Sequence, residues 1–241
     1  MKIFINIFLF YVIFEITSSI GLKILTKFYK INYSPIEKSF DDYEDFKRKV
    51  QNSSYVSFDK NLGWNIVKNG NAMDSLYISN GKGIRRKNNI DADAKKFRIS
   101  SYGDSFVHCD DVSNDETWQS FIENKEKKIE VLNLGVGGYG TDQAYLKYIL
   151  TKKNLDADMV LIGYMSENLN RNVNTYRPFY TKNDIDLRFS KPRFIYQDNQ
   201  LKLIPNYFSS LNQMQVLVEK SEETFNMLGA NDYFFNTNYK S

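Results

Sequence analysis

The chain has one cysteine, Cys109, and one histidine, His108, in 241 residues. A single cysteine excludes an intramolecular disulfide, and one Cys with one His cannot assemble the usual zinc sets. A strong charge of one sign is also missing. Lys plus Arg number 32 against 29 Asp plus Glu, and the resulting +3 is spread without a basic block. Proteins that track phosphates concentrate such charge, which argues against a nucleic-acid partner.

What is present supports one sizeable core: 42% of residues are hydrophobic and 15% aromatic. The length fits one domain with an N-terminal appendage. Residues 1–30 form that appendage. Ile3 to Phe14 is an apolar run behind Lys2, about as long as a signal-peptide core. Glu15 interrupts it, the small residues Thr17 and Ser19 stand where cleavage would occur, and apolar residues resume at Ile20, Leu22, Ile24 and Leu25. A signal peptide and an uncleaved membrane anchor both fit, and a buried amphipathic helix is the remaining reading. Export or membrane attachment is the expectation.

Residues 31–95 are polar, with turn signals at Gly63-Trp64 and Asn80-Gly81 and no sustained periodicity, and read as a connecting lead-in. From residue 96 three apolar runs, Phe97–Ser101, Ile129–Leu134 and Met159–Gly163, read as buried parallel strands. Between them, Trp118, Phe121 and Ile122, then Tyr145, Tyr148 and Ile149, recur at helical spacing and predict helices laid on the sheet. The alternation implies an α/β fold with a parallel sheet, whose functional groups sit at the carboxyl ends of the strands. A hairpin around Asp198-Asn199 is expected as an insertion over about 170–208, followed by a helix marked by Leu211, Met214, Val218, Phe225 and Leu228. With three strands where four to six are usual, the domain over 96–241 is expected to be C-terminally incomplete.

The residues at the strand ends carry the chemistry. After the first strand comes Gly103-Asp104-Ser105-Phe106, where a serine in a strand-to-helix turn presents its hydroxyl at the open edge beside backbone N–H groups. Taken alone, this tripeptide reads more readily as a helix-capping serine beside a loop aspartate. After the second strand comes Leu134-Gly135-Val136-Gly137-Gly138-Tyr139-Gly140, and after the third Gly163-Tyr164-Met165-Ser166-Glu167-Asn168. Gly135, Gly137 and Gly140 also spell the G-x-G-x-x-G of dinucleotide sites, although that fingerprint belongs after the first strand of its fold.

Taken together, the three strand ends resemble the SGNH (GDSL-like) hydrolases, whose blocks are a GDS serine, a glycine, an asparagine and a late D-x-x-H. Three of the four occur here in order. The resemblance implies a three-layer α/β/α sandwich, flavodoxin-like in strand order, acting on ester bonds without a cofactor. It makes Ser105 the nucleophile and its N–H one oxyanion donor, Gly138 N–H a second, and the Asn168 side chain a third, with Asp104 in the supporting loop. Many relatives have Asn-Asp where this chain has Asn168-Leu169, and a one-residue slip would place Glu167 in the oxyanion hole. The wider run from Ser57 to Asn206 looks like SGNH-type proteins encoded among bacterial surface-polysaccharide genes, which implies a small acyl ester or an acylated carbohydrate as substrate. The departure is the base: no D-x-x-H occurs, and His108, one turn after Ser105, is expected to be packed. Cys109 reads as structural. The expected product is inactive or weak, and an O-acyltransferase on a glycan, or a non-catalytic glycan-binding fragment or pseudoenzyme, stands as the alternative.

Overall fold

The computed structural model describes residues 2–29, 43–86, 88, 96–181, 188–217 and 222–238. The chain forms two compact units, Met1–Lys38 and Ser39–Ser241.

The first unit contains helix α1 (Lys2–Tyr29), 28 residues long. At 1.5 Å per residue it extends about 42 Å, more than the ~30 Å of a bilayer's hydrocarbon core. Its Phe4–Gly21 stretch has mean hydropathy 1.7. Thr17 does not interrupt it, because the hydroxyl donates back to the carbonyls of Ile13 (2.9 Å) and Phe14 (3.0 Å). This helix has the length and composition of a signal sequence or a membrane anchor.

The second unit is mixed α/β. Strands β5 (Phe97–Tyr102), β6 (Ile129–Asn133) and β7 (Met159–Ile162) form a parallel sheet in the order β6-β5-β7, with Ile99 opposite both Val131 and Met159. Helix α4 (Trp118–Lys125) connects β5 to β6, and α5 (Thr141–Thr151) connects β6 to β7. Tyr102, Leu132, Leu134, Ala144, Leu155 and Ile84 make the central core cluster, with Tyr148 packed against it.

Four expectations need correction. Strand β7 is not buried: Met159, Val160, Leu161 and Ile162 are 44, 37, 40 and 41% exposed, and its outer edge has no strand partner among the described residues. The helix faces are also rotated from the aromatic stripes. Phe121, Tyr145 and Ile149 are exposed, whereas α4 buries Gln119 and α5 buries Gln143, Ala144 and Lys147. The two glutamines are accommodated because they are hydrogen-bonded, Gln119 to the Val107 carbonyl (2.7 Å) and Gln143 to that of Leu62 (2.7 Å).

The third correction concerns the polar lead-in, which is structured and packed against the sheet. It contains α2 (Tyr43–Gln51) and two antiparallel pairs, β1 (Val56–Asp59) with β2 (Gly63–Ile66) and β3 (Asn71–Ala72) with β4 (Tyr77–Ile78). Asp59 starts the first turn by accepting from the N–H groups of Asn61 and Leu62. Trp64 and Ile84 of this segment are fully buried, and Arg85 N–H donates to the Asn133 carbonyl at the end of β6 (3.0 Å).

Beyond β7 lie the short helices α6 (Glu167–Asn172) and α7 (Arg177–Tyr180). The expected hairpin follows as β8 (Arg193–Gln197) and β9 (Gln200–Ile204), with Asp198 and Asn199 at φ 53° and 59°, the left-handed pair of a tight two-residue turn. The stretch expected as one helix is instead a 3-10 segment (Leu211–Leu217) and a separate α8 (Glu222–Gly229), burying Met214, Leu217 and Leu228; Val218 lies outside the described residues. Helix α9 (Tyr233–Asn238) follows.

Candidate active site around Ser105

Strand β5 delivers Gly103 and Asp104 into α3 (Ser105–His108), a single helical turn. Asp104 caps it, its Oδ1 accepting from Phe106 N–H at 3.0 Å. The turn ends at Cys109 in the left-handed region, φ 65°. Tight packing then draws the other strand ends onto this turn. A Cβ on Gly163 would stand 2.3 Å from the Val107 side chain, and one on Gly135 would stand 2.2 Å from the His108 backbone nitrogen. The glycines after β6 and β7 thus let both loops close on α3.

Ser105 is half-buried. Among the described residues neither its hydroxyl nor its N–H has a hydrogen-bond partner, and the same holds for the N–H of Gly138. Gly138 sits at φ +78°, a conformation that an L side chain would strain. One unengaged N–H thus stands at Ser105 and a second at Gly138, in a loop tied to the serine turn where Val136 N–H donates to the Gly103 carbonyl (3.0 Å).

Asn168 is the inward residue of its helix, 1% exposed, while Glu167 is only half-buried. Its oxygen accepts from Met165 N–H at 2.9 Å. Its amide donates to Asp104 Oδ2 (3.0 Å) and to the Tyr139 carbonyl (3.2 Å). Both amide hydrogens thus have protein acceptors, and an oxyanion role would require one to be released. Arg171 reaches the same pair, 3.2 Å from Asp104 Oδ2 and 3.1 Å from the Tyr139 carbonyl. Asp104 is a buried hub joining the Ser105 turn to α6, whose Asn168 and Arg171 also reach the glycine loop at the Tyr139 carbonyl.

His108 points away from this edge. Its Nε2 lies 2.7 Å from the Tyr55 hydroxyl and its Nδ1 2.5 Å from Asp110 Oδ1. Burial pushes the imidazole below and the Tyr55 phenol above their ordinary pKa values. The consistent assignment is a neutral ring, with Tyr55 donating to Nε2 and Nδ1–H donating to Asp110. Arg85 seals the cluster, donating to the carbonyls of His108, Cys109 (2.6 Å) and Val112 and lying 4.5 Å over the Tyr77 ring. With both nitrogens engaged, His108 is structural. Burial also raises the pKa of the Cys109 thiol, which faces carbonyl oxygens and the Gln119 amide oxygen, so it is no thiolate nucleophile.

The dinucleotide reading fails at the start of α5. The Asp142 N–H donates to Asn172 Oδ1 (3.2 Å), that of Gln143 to Asp142 Oδ1 (2.8 Å) and that of Ala144 to the Gly140 carbonyl (3.1 Å). These donors at the helix start are taken, and the buried Asp142 carboxylate, paired with Lys191 at 2.5 Å, stands where a pyrophosphate would approach them. Beside it a cleft of about 610 Å³ is lined by Thr141, Asp142, Tyr145, Asn172, Phe194 and Leu201.

Sequence reasoning missed Arg171, Trp64, Arg85 and Tyr55. Arg171 carried a signal, since it follows Asn168 by three residues and shares its helix face. The other three lie in the segment read as a lead-in, where no periodicity marked them. No protein-family model matches the chain, and a search of curated proteins finds no match.

Proposed function

We propose that Ser39–Ser241 is a serine-esterase scaffold of the SGNH hydrolase type, a three-layer α/β/α sandwich of flavodoxin-like strand order, with Ser105 as its nucleophile. The observation that carries this reading is the convergence of three strand ends on one turn: Gly163 closes on Val107, Gly135 closes on His108, and Asn168 reaches Asp104. Ser105 attacks the ester carbonyl, and its own N–H and that of Gly138 hold the developing oxyanion. Asp104 fixes the turn from beneath, and Asn168 in turn fixes Asp104. The hydroxyl proton must go to a base, and His108 is committed to Tyr55 and Asp110. In this chain the acceptor is therefore solvent hydroxide, which makes the reaction slow and tied to pH.

An acyl group on a carbohydrate is the proposed substrate, since the cleft at the start of α5 offers the exposed Tyr145 ring next to the polar Asn172 and Asp142. Attack by water or by a sugar hydroxyl on the acyl-enzyme distinguishes a hydrolase from an O-acyltransferase. Helix α1 serves on this reading as the export signal or membrane anchor that brings the domain to the bacterial envelope. The sequestered histidine favours a second reading, a glycan-binding protein without turnover.

The test is p-nitrophenyl acetate turnover by residues 39–241 beside Ser105→Ala and His108→Gln, with folding checked by circular dichroism. The expected result is a slow rate lost in Ser105→Ala, kept in His108→Gln, and rising about tenfold per pH unit between pH 6 and 9 without a plateau near the histidine range. A parent rate equal to that of Ser105→Ala, also with added imidazole, would leave only the binding reading.

A further inference from the structure

The peptide joining Gly137 to Gly138 is held from the side of its carbonyl. Trp64, 1% exposed on β2, donates its indole N–H to the Gly137 oxygen at 2.9 Å. Its ring is itself fixed, stacked on Phe189 with centroids 5.7 Å apart and edge-on to Tyr139 at 5.6 Å. Tyr139 closes the clamp from below, its hydroxyl donating to the Trp64 carbonyl at 2.6 Å.

A trans peptide is planar, and its C=O and N–H point in opposite directions; no cis peptide occurs among the described residues. Whatever fixes the Gly137 carbonyl therefore fixes the Gly138 N–H, half a turn away. Glycine on both sides makes this the kind of peptide that turns over most easily, because neither residue opposes a change in the sign of φ. One neutral hydrogen bond biases such a choice by roughly two- to tenfold, and burial of the indole removes water as a competing partner.

We infer that Trp64 is a positioning residue for the oxyanion hole, aiming the Gly138 N–H through the Gly137 carbonyl. This rests on the assignment of Gly138 as an oxyanion donor. It gives the segment before residue 96 a part in the chemistry: strand β2 supplies the bond that biases the orientation of the 137–138 peptide. Trp64 touches no reacting atom.

The experiment compares the full-length chain in detergent with Trp64→Phe, which keeps an aromatic ring and loses the donor. Crystal structures of both read the orientation of the 137–138 peptide, and p-nitrophenyl acetate kinetics read its consequence. Leu155→Ala, in the core cluster away from the loop, controls for lost stability. Trp64→Phe is expected to show the peptide turned in part or all of the molecules, with kcat lower by about three- to tenfold, no more than the bias the bond supplies, and KM within twofold. Leu155→Ala is expected to melt earlier with kcat within twofold. A peptide that stays in place without the indole overturns the inference, as does a turned peptide with unchanged kcat. Failure of the parent to turn over the ester defeats the esterase reading alone, and the peptide's orientation still decides whether Trp64 sets it.

Discussion

Asp104 concentrates much of what a single residue does here. One oxygen caps α3 and the other accepts from Asn168 and Arg171, all within the buried interior. Removing the carboxylate breaks the Asp104–Arg171 ion pair from one side, which for a buried pair costs about 3–5 kcal/mol. Asp104→Ala is therefore expected to lose about that much in urea denaturation, and adding Arg171→Met to recover part of it. Equal stability of the single and double variants would mean that the pair is uncoupled. The Gly-Asp-Ser turn was legible because its residue types fit a strand-to-helix edge. The donor pattern of Asn168 was not, since a sequence shows that an amide is present but not which acceptors it finds.

Among the elements, α5 departs furthest from its sequence pattern. Its aromatic stripe suggested the buried face, yet the inward side carries Gln143, Ala144 and Lys147, because the segment from 43 to 86 covers that side and offers the Leu62 carbonyl as a partner. Lys147 is 2% exposed and its amine has no hydrogen-bond partner among the described residues. Desolvation lowers its pKa to about 7, against a weaker pull from the Asp59 carboxylate. The unfolded chain holds this proton up to about pH 10.4, whereas the folded chain releases it near 7. Between those values the unfolded state binds more protons, so stability rises with pH across that window, by on the order of 4 kcal/mol. Lys147→Met is expected to flatten this slope and to stabilise the fold at pH 7; a slope unchanged in the variant would assign it to other groups. The β8–β9 hairpin, by contrast, was readable in full, because Asp198-Asn199 between two apolar runs specifies a turn needing positive φ twice.

On the scale of the whole molecule, the parallel order β6-β5-β7 follows from the alternation of apolar runs and helices, and the three motif-bearing loops fall at one edge as such a sheet requires. The packed role of residues 43–86 was hidden, because its strands are two to four residues long and its burial rests on a few side chains such as Trp64 and Tyr55 rather than on a periodic face. The open β7 edge has a colloidal consequence. Four apolar residues on a strand whose outer edge has no strand partner among the described residues are a template for association. Residues 39–241 are expected to self-associate with rising concentration in sedimentation velocity, and Leu161→Lys to reduce this; identical profiles would place the association elsewhere.

Ser105 is proposed as the reactive serine. The most direct measurement is treatment of the full chain with a fluorophosphonate, followed by peptide mass mapping. The expected result is one phosphonylated site, in the peptide containing Ser105, at a rate that increases with pH and vanishes in Ser105→Ala. Labelling spread over several serines, or undiminished in Ser105→Ala, would contradict it.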